Sequence, residues 1–186
     1  MQSFTENLNT LAAIGTVAGQ FFLVWILVLW LSSRFGKTSQ SREWARKTLA
    51  KIGSHGLTIG FIVALTSVVL SLVYSDIIGY EPCKLCWIQR IFLYPQVIIL
   101  GLALWKKTKD AAMYCLTLSG VGALIALYHF YGQSINPSVL PACDATGAAS
   151  CAVRYFVEFG YITIPMMSLT AFILIIAFML LAKRQF

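Results

Sequence analysis

Two cysteine pairs carry the chemistry that this sequence can do. Cys83-Lys84-Leu85-Cys86 is a Cys-x-x-Cys, and further along seven residues separate Cys143 from Cys151. A thiolate attacks a disulfide sulfur and displaces its mate, so two such pairs brought together can pass electrons by exchange. Pro82 stiffens the approach to the first pair and suits the opening turn of a helix, which sets Cys86 at a helix start. Aligned amide dipoles favour an anion there, and Cys86, Gln89 and Arg90 share a face because residues three and four apart are helix neighbours. The dipole and the guanidinium both stabilise a Cys86 thiolate, and Lys84 adds a second positive charge. The same residues admit two other chemistries. Four thiolates have the ligand count for zinc, and either pair can be a structural disulfide.

Around the second pair, Pro137 and Pro141 predict an extended approach to Cys143, and Gly147 permits a turn before Cys151. The stretch 152–159, Ala-Val-Arg-Tyr-Phe-Val-Glu-Phe, is apolar with two charges and is followed by Gly160. It predicts a short amphipathic helix lying on a membrane surface, able to bring the second pair back over the first. His129 falls level with the first pair, where packing and a role beside an electron acceptor are both open readings. Cys115, inside an apolar run, reads as a small buried hydrophobe.

Long uncharged runs must position these loops. The chain of 186 residues is 59% hydrophobic and 11% charged, against roughly 25% charged in soluble domains. No charged residue occurs between Glu6 and Arg34, Lys51 and Asp76, Arg90 and Lys106, Asp110 and Asp144, or Glu158 and Lys183. Each run is apolar enough to cross about 30 Å of hydrocarbon as a helix, though the third is short, which predicts spans near 12–31, 55–74, 87–105, 112–131 and 162–182. The third run has fifteen residues, about 22 Å of helix, so its span is expected to start near Leu85 and to hold Arg90 at headgroup depth. The fold class is an all-α integral membrane protein, a four-helix transmembrane bundle with one extra N-terminal transmembrane helix.

Loop charges set the orientation. With the N-terminus outside and the C-terminus inside, eleven Lys and Arg fall in inner segments and three (Lys84, Arg90, Arg154) in outer ones. The net charge of +7 is therefore topology, and it argues against a nucleic-acid partner. The first span lacks the basic flank of a secretory signal and is expected to stay in the membrane. The organisation that follows is an extra helix at 1–33, a basic cytoplasmic loop at 34–53 near anionic lipid, and a four-helix domain at 54–186 with outer loops 75–86 and 132–161. Tyr74, Trp87, Tyr128, Tyr131 and Tyr161 form an outer aromatic belt, and Trp30, Trp44 and Trp105 an inner one.

The string Glu-Pro-Cys-Lys-Leu-Cys-Trp-Ile-Gln-Arg-Ile-Phe-Leu-Tyr-Pro, Glu81 to Pro95, resembles the active-site loop of the DsbB family of disulfide bond formation proteins, especially the forms called BdbC. The likeness continues through Leu127 to His129, Pro141 to Asp144, and Tyr161 to Phe172, and covers roughly 55–182. It implies a thiol oxidase of the bacterial inner membrane, with its cysteine loops outside, that reoxidises a DsbA-like thioredoxin-fold partner and passes the electrons to the quinone pool, ubiquinone or menaquinone. It implies that Cys83 and Cys86 are the quinone-linked pair, with Arg90, Gln89 and His129 near the quinone. Cys143 would form the mixed disulfide with the partner, Cys151 would be its intramolecular mate, and no metal is implied. Family members typically have four spans, so the extra N-terminal helix is a departure. The short Cys143–Cys151 spacing resembles Gram-positive members. The alternative is a membrane scaffold, zinc-binding or held by inert disulfides, without redox turnover.

Overall fold

Hydrocarbon offers backbone amides no hydrogen-bond partner, so the apolar runs must satisfy themselves as helices. The computed structural model describes residues 2–36, 38–108, 110–140 and 150–183. Its helices are α1 (Gln2–Phe35), α2 (Ser39–Ser54), α3 (Gly56–Leu72), α4 (Lys84–Lys106), α5 (Ala111–Ser134) and α6 (Ile164–Lys183). A π-helical segment, Val73–Ile77, extends α3, and a short 3-10 turn, Pro137–Val139, follows α5. All except α2 and the 3-10 turn belong to five stretches long and apolar enough to cross a bilayer, as the charge-free runs predict. The short third run is completed on its cysteine side: α4 starts at Lys84 and carries Arg90 inside its second turn.

Helices α3 to α6 form the bundle, with α5 packed on α6 and α4, and α3 packed on α4 and α6. Phe172, Leu100, Ile175 and Met179 lie fully buried at its centre. Small residues let the backbones approach, as helix pairs in lipid require. A Cβ on Gly56 would sit 2.7 Å from the Phe178 carbonyl oxygen, and one on Gly122 would overlap the Phe172 ring. Pro95 removes one amide donor inside α4. Beside it the Gln96 side chain donates to the Phe92 carbonyl at 2.8 Å and accepts from Ser119 Oγ at 2.9 Å, a buried polar link to α5. Cys115 is fully buried, as a packing residue should be. Helix α1 lies outside the bundle against α2 and α6.

Two segments differ from expectation. The basic stretch expected as a loop at 34–53 contains α2. Thr38 caps it, its Oγ1 accepting from the Ser41 amide at 3.2 Å, and Ala45, Leu49 and Gly53 bury a stripe at four-residue spacing. Arg42, Arg46, Lys47 and Lys51 stay exposed.

The helix expected at 152–159 does not form. That segment is irregular and ends in an isolated antiparallel bridge, Glu158 with Ile162, closed through positive φ at Phe159 (50°) and Gly160 (78°). Tertiary partners replace the helical ladder. Gln133 Nε2 donates to the Val153 carbonyl at 2.7 Å, Arg154 Nε donates to the Gln133 carbonyl at 3.0 Å, and Tyr155 and Phe156 pack on Tyr80 and Tyr74. Of the apolar residues, Tyr155 and Phe156 meet protein, while Val153, Val157 and Phe159 stay exposed.

Gly122→Ala should lower stability by about 1–3 kcal/mol by forcing α5 and α6 apart. Gly120→Ala, whose Cβ would meet nothing within 4 Å, should be neutral or stabilising. Thermal unfolding of both variants in detergent checks this contrast.

Candidate redox site

Cys83 is the N-cap of α4. Its backbone is extended (φ −69°, ψ 172°), and its sulfur accepts from the Cys86 amide at 3.4 Å, taking the place of a capping oxygen. Cys86 therefore occupies the third helical position, where the dipole argument places it. The Cys83 thiol donates to the Cys86 sulfur across 3.2 Å. Donation to Cys86 and then burial push the Cys83 thiol up to about 12, with the His129 hydrogen bond pulling the other way. In the reduced pair Cys83 is thus the donor that keeps its proton.

His129, on the last turns of α5, is 2% exposed. Its Nε2 faces the Cys151 carbonyl at 3.1 Å, and a carbonyl can only accept, so Nε2 carries the proton. Nδ1 then accepts from Gln89 Nε2 at 3.1 Å. The same Nε2 is 3.8 Å from Cys83 Sγ, and Cys83 Sγ, His129 Nε2 and Cys151 Sγ all lie within 4.8 Å of one another. The two cysteine loops meet at this imidazole.

An aromatic stack clamps the loops together. Tyr80 lies parallel to Tyr155, ring centroids 4.4 Å apart, and to Tyr74 at 5.7 Å, while the Tyr155 hydroxyl donates to the Glu81 carbonyl at 2.8 Å. Cys83 and Cys151 are each only 4% exposed, clustered with Leu85 against Ile88, Ile125 and Leu140.

Arg90 points across to α3, donating from Nε to Ser71 Oγ at 2.9 Å and from Nη2 to the Ser71 carbonyl at 3.0 Å. Its guanidinium also sits 5.0 Å from the Trp87 ring centre. Cys83, Cys86, Gln89, Arg90, His129 and Cys151 all line one cavity of about 480 Å³. Six of the seven sequence-predicted residues are therefore brought together, and Cys143 lies outside the described residues. Sequence reasoning missed Ser71, Gln133 and the aromatic clamp. The available signal was clustering, since Tyr74, Tyr80, Tyr155 and Phe156 all fall within ten residues of a cysteine pair.

Residues 54–182, two-thirds of the chain, match the family described as disulfide bond formation protein DsbB. The chain belongs to the DsbB family. It is 40% identical over 125 residues to a probable disulfide formation protein C of Halalkalibacterium halodurans, covering 67% of this chain and 90% of that one. It is 40% identical over 141 residues to a probable disulfide formation protein of Oceanobacillus iheyensis, 75% of this chain and 96% of that one. With disulfide bond formation protein C of Bacillus subtilis it shares 39% over 129 residues, 69% and 93% of the two chains. No solved structure matches. Membership makes the chain a thiol oxidase of disulfide formation and a multi-pass bacterial membrane protein, which sets aside the inert scaffold.

The reduced Cys83 should show its retained proton directly. Its alkylation rate, followed by peptide mass mapping, should still climb about tenfold per pH unit at pH 10, where an ordinary thiol near 8.5 has levelled off. In Cys86→Ser the acceptor sulfur is gone, and the plateau should move to lower pH.

Proposed function

We propose that this DsbB-family chain is a thiol:quinone oxidoreductase of the inner membrane. It reoxidises an extracytoplasmic, DsbA-like thioredoxin-fold oxidase at Cys143–Cys151 and discharges the electrons from Cys86 to quinone. The observation that carries the reading is the meeting of Cys151, His129 and Cys83 within 4.8 Å, with Cys86 3.2 Å from Cys83 and lining the same cavity. The bias of eleven inner to three outer Lys and Arg supports cysteine loops on the extracytoplasmic side, with 1–33 as an extra span and 34–53 cytoplasmic.

The steps balance as exchanges. A partner thiolate attacks Cys143, forming a mixed disulfide and releasing the Cys151 thiolate; the partner's second thiol then resolves it and leaves oxidised. Cys151 is the sulfur beside Cys83, so its thiolate attacks Cys83 of the Cys83–Cys86 disulfide and expels Cys86 as a thiolate. Cys143 then attacks Cys151, regenerating the outer disulfide and leaving Cys83 and Cys86 as a dithiol. The protonated Nε2 of His129 holds the Cys151 carbonyl and keeps the attacking segment over Cys83. Quinone, when bound, takes two electrons and two protons and leaves as quinol, while Cys83 closes on Cys86. The cavity fits such an acceptor. Its volume is within the usual range of about 300–1,000 Å³ for small-molecule sites, its walls are mainly apolar, and Arg90 and His129 stand at the cysteine end. Two of its lining residues, Tyr74 and Gln133, hold buried oxygens with no partner among the described residues, which a polar ligand group would satisfy.

Quinone reduction by the purified protein, driven by a reduced thioredoxin-fold oxidase and followed optically, tests the reading. Turnover should vanish in Cys86→Ser and in Cys143→Ser, and Cys143→Ser, which keeps the Cys83–Cys86 disulfide but has no thiol to complete the exchange, should accumulate a Cys83–Cys151 disulfide seen by non-reducing peptide mapping. Arg90→Ala should raise KM for quinone about tenfold, equivalent to about 1.4 kcal/mol, with little change in partner exchange. Turnover that survives either cysteine change would sink the relay.

The Cys83, His129 and Cys151 cluster also favours a second reading, a thiophilic metal held by the reduced pairs. One tightly held zinc per chain after purification under reducing conditions would support it.

A further inference from the structure

Helix α1 falls outside the stretch that matches the DsbB family, 54–182, yet it reaches the cavity. Leu8, Leu11 and Gly15 form a stripe at helical spacing on its lining face, opposite Thr66 and Leu70 of α3. α1 packs on α2 and α6, and α3 packs on α4 and α6. Among the described residues α1 and α3 have no packed interface with each other, so the cavity is the cleft between them, and it reaches the outer surface of the helices, where its lining residues Leu11 and Ile62 are exposed.

How α1 is held sharpens the point. At Gly19 it lies tight against α6, where an added Cβ would be 3.0 Å from Leu174 Cδ1. Next to it, Gln20 donates to Thr170 Oγ1 at 3.1 Å and accepts from the Tyr161 hydroxyl at 2.7 Å. One turn nearer the cysteines, a Cβ on Gly15 would meet nothing within 4 Å. The helix is thus anchored by Gly19 and Gln20, stays packed through the buried Asn9 and Ala13, and leaves open space on the face that carries Gly15.

We propose that α1 is the lipid-side wall of the acceptor cavity and that the cleft between α1 and α3 seats the apolar tail of the quinone, with Gly15 setting its width. This rests on the quinone reading above. A lipid-soluble acceptor must bring its redox head to Cys86 while its tail stays among acyl chains, and this cleft joins those two places. The apolar α1 stripe supplies the tail contacts, and the missing side chain at Gly15 supplies the room. A side chain there grows into the groove without disturbing the Gly19 anchor.

The test uses the full chain in lipid nanodiscs and decyl-ubiquinone as the probe. Its Kd is read from quenching of tryptophan fluorescence, with Trp87 beside Arg90 as a reporter, and separately as KM in the partner-driven assay. The series Gly15→Ala, Gly15→Val, Gly15→Leu should raise Kd in order of side-chain size, reaching roughly fivefold to tenfold at Leu, the scale of an overfilled pocket. KM should rise in parallel, while quinone-free reduction of the chain by the partner's thiols keeps its wild-type rate. Gly120→Leu is the control, since its Cβ also meets nothing within 4 Å but Gly120 lies away from the cavity; it should leave Kd unchanged. If the Leu variant folds poorly, the Ala and Val members still give the trend, because alanine favours a helix more than glycine does. A Kd for Gly15→Leu within twofold of wild type overturns the inference while leaving the quinone reading standing. A wild-type protein that exchanges thiols with the partner but neither binds nor reduces benzoquinones or naphthoquinones overturns both.

Discussion

Burying one imidazole among three groups from two other parts of the chain ties the site together. His129 comes from α5, Gln89 and Cys83 from the start of α4, and the Cys151 carbonyl from the second loop. Each contact constrains the next. Gln89 donates to Nδ1, which leaves the proton on Nε2, and that proton can then hold the carbonyl beside the reacting sulfur. A buried polar network is stabilising only when its members are satisfied, and here the ring nitrogens are. The helices of the bundle matter to the chemistry chiefly because they bring the ends of α4 and α5 to this point.

Much of this was legible in the sequence, because a bilayer leaves a chain few choices. Charge-free runs had to be helices, and the Pro82-Cys83 junction had to be a helix start, so five spans and the setting of Cys86 followed from residue types alone. The 152–159 segment was not legible. Its apolar residues have the same spacing whether they meet lipid or protein, and the aromatic partners Tyr74 and Tyr80 lie more than seventy residues away. Tyr74 was legible as an aromatic near the interface and is in fact part of the clamp. Arg90 was placed correctly beside Cys86, but its partner Ser71 is on another helix, and no local pattern marks a serine hydroxyl as a guanidinium acceptor.

The basic segment between α1 and α3 illustrates the same limit from the other side. Its charges announced a polar, inner-side connection, and its exposed face is polar. The alternate face, Ala45, Leu49 and Gly53, packs inward against α1 and α6. α2 thus fastens the additional span to the bundle away from the cysteines, while Gly19 and Gln20 fasten it closer to them. Nearer the cysteines α1 stays packed through the buried Asn9 and Ala13, and the cavity lies along its neighbouring face at Gly15.

Burial would make the proposed relay an insulated conductor. Cys83 and Cys151 are each only 4% exposed, so a thiol in solution finds almost no sulfur surface to attack. On the relay reading, oxidising equivalents held by the Cys83–Cys86 pair would be spared from leaking to bulk thiols, and a reductant would have to engage the second loop before it could draw current. Selectivity of this kind lies in what the protein covers, and it needs no tighter grip on the correct partner.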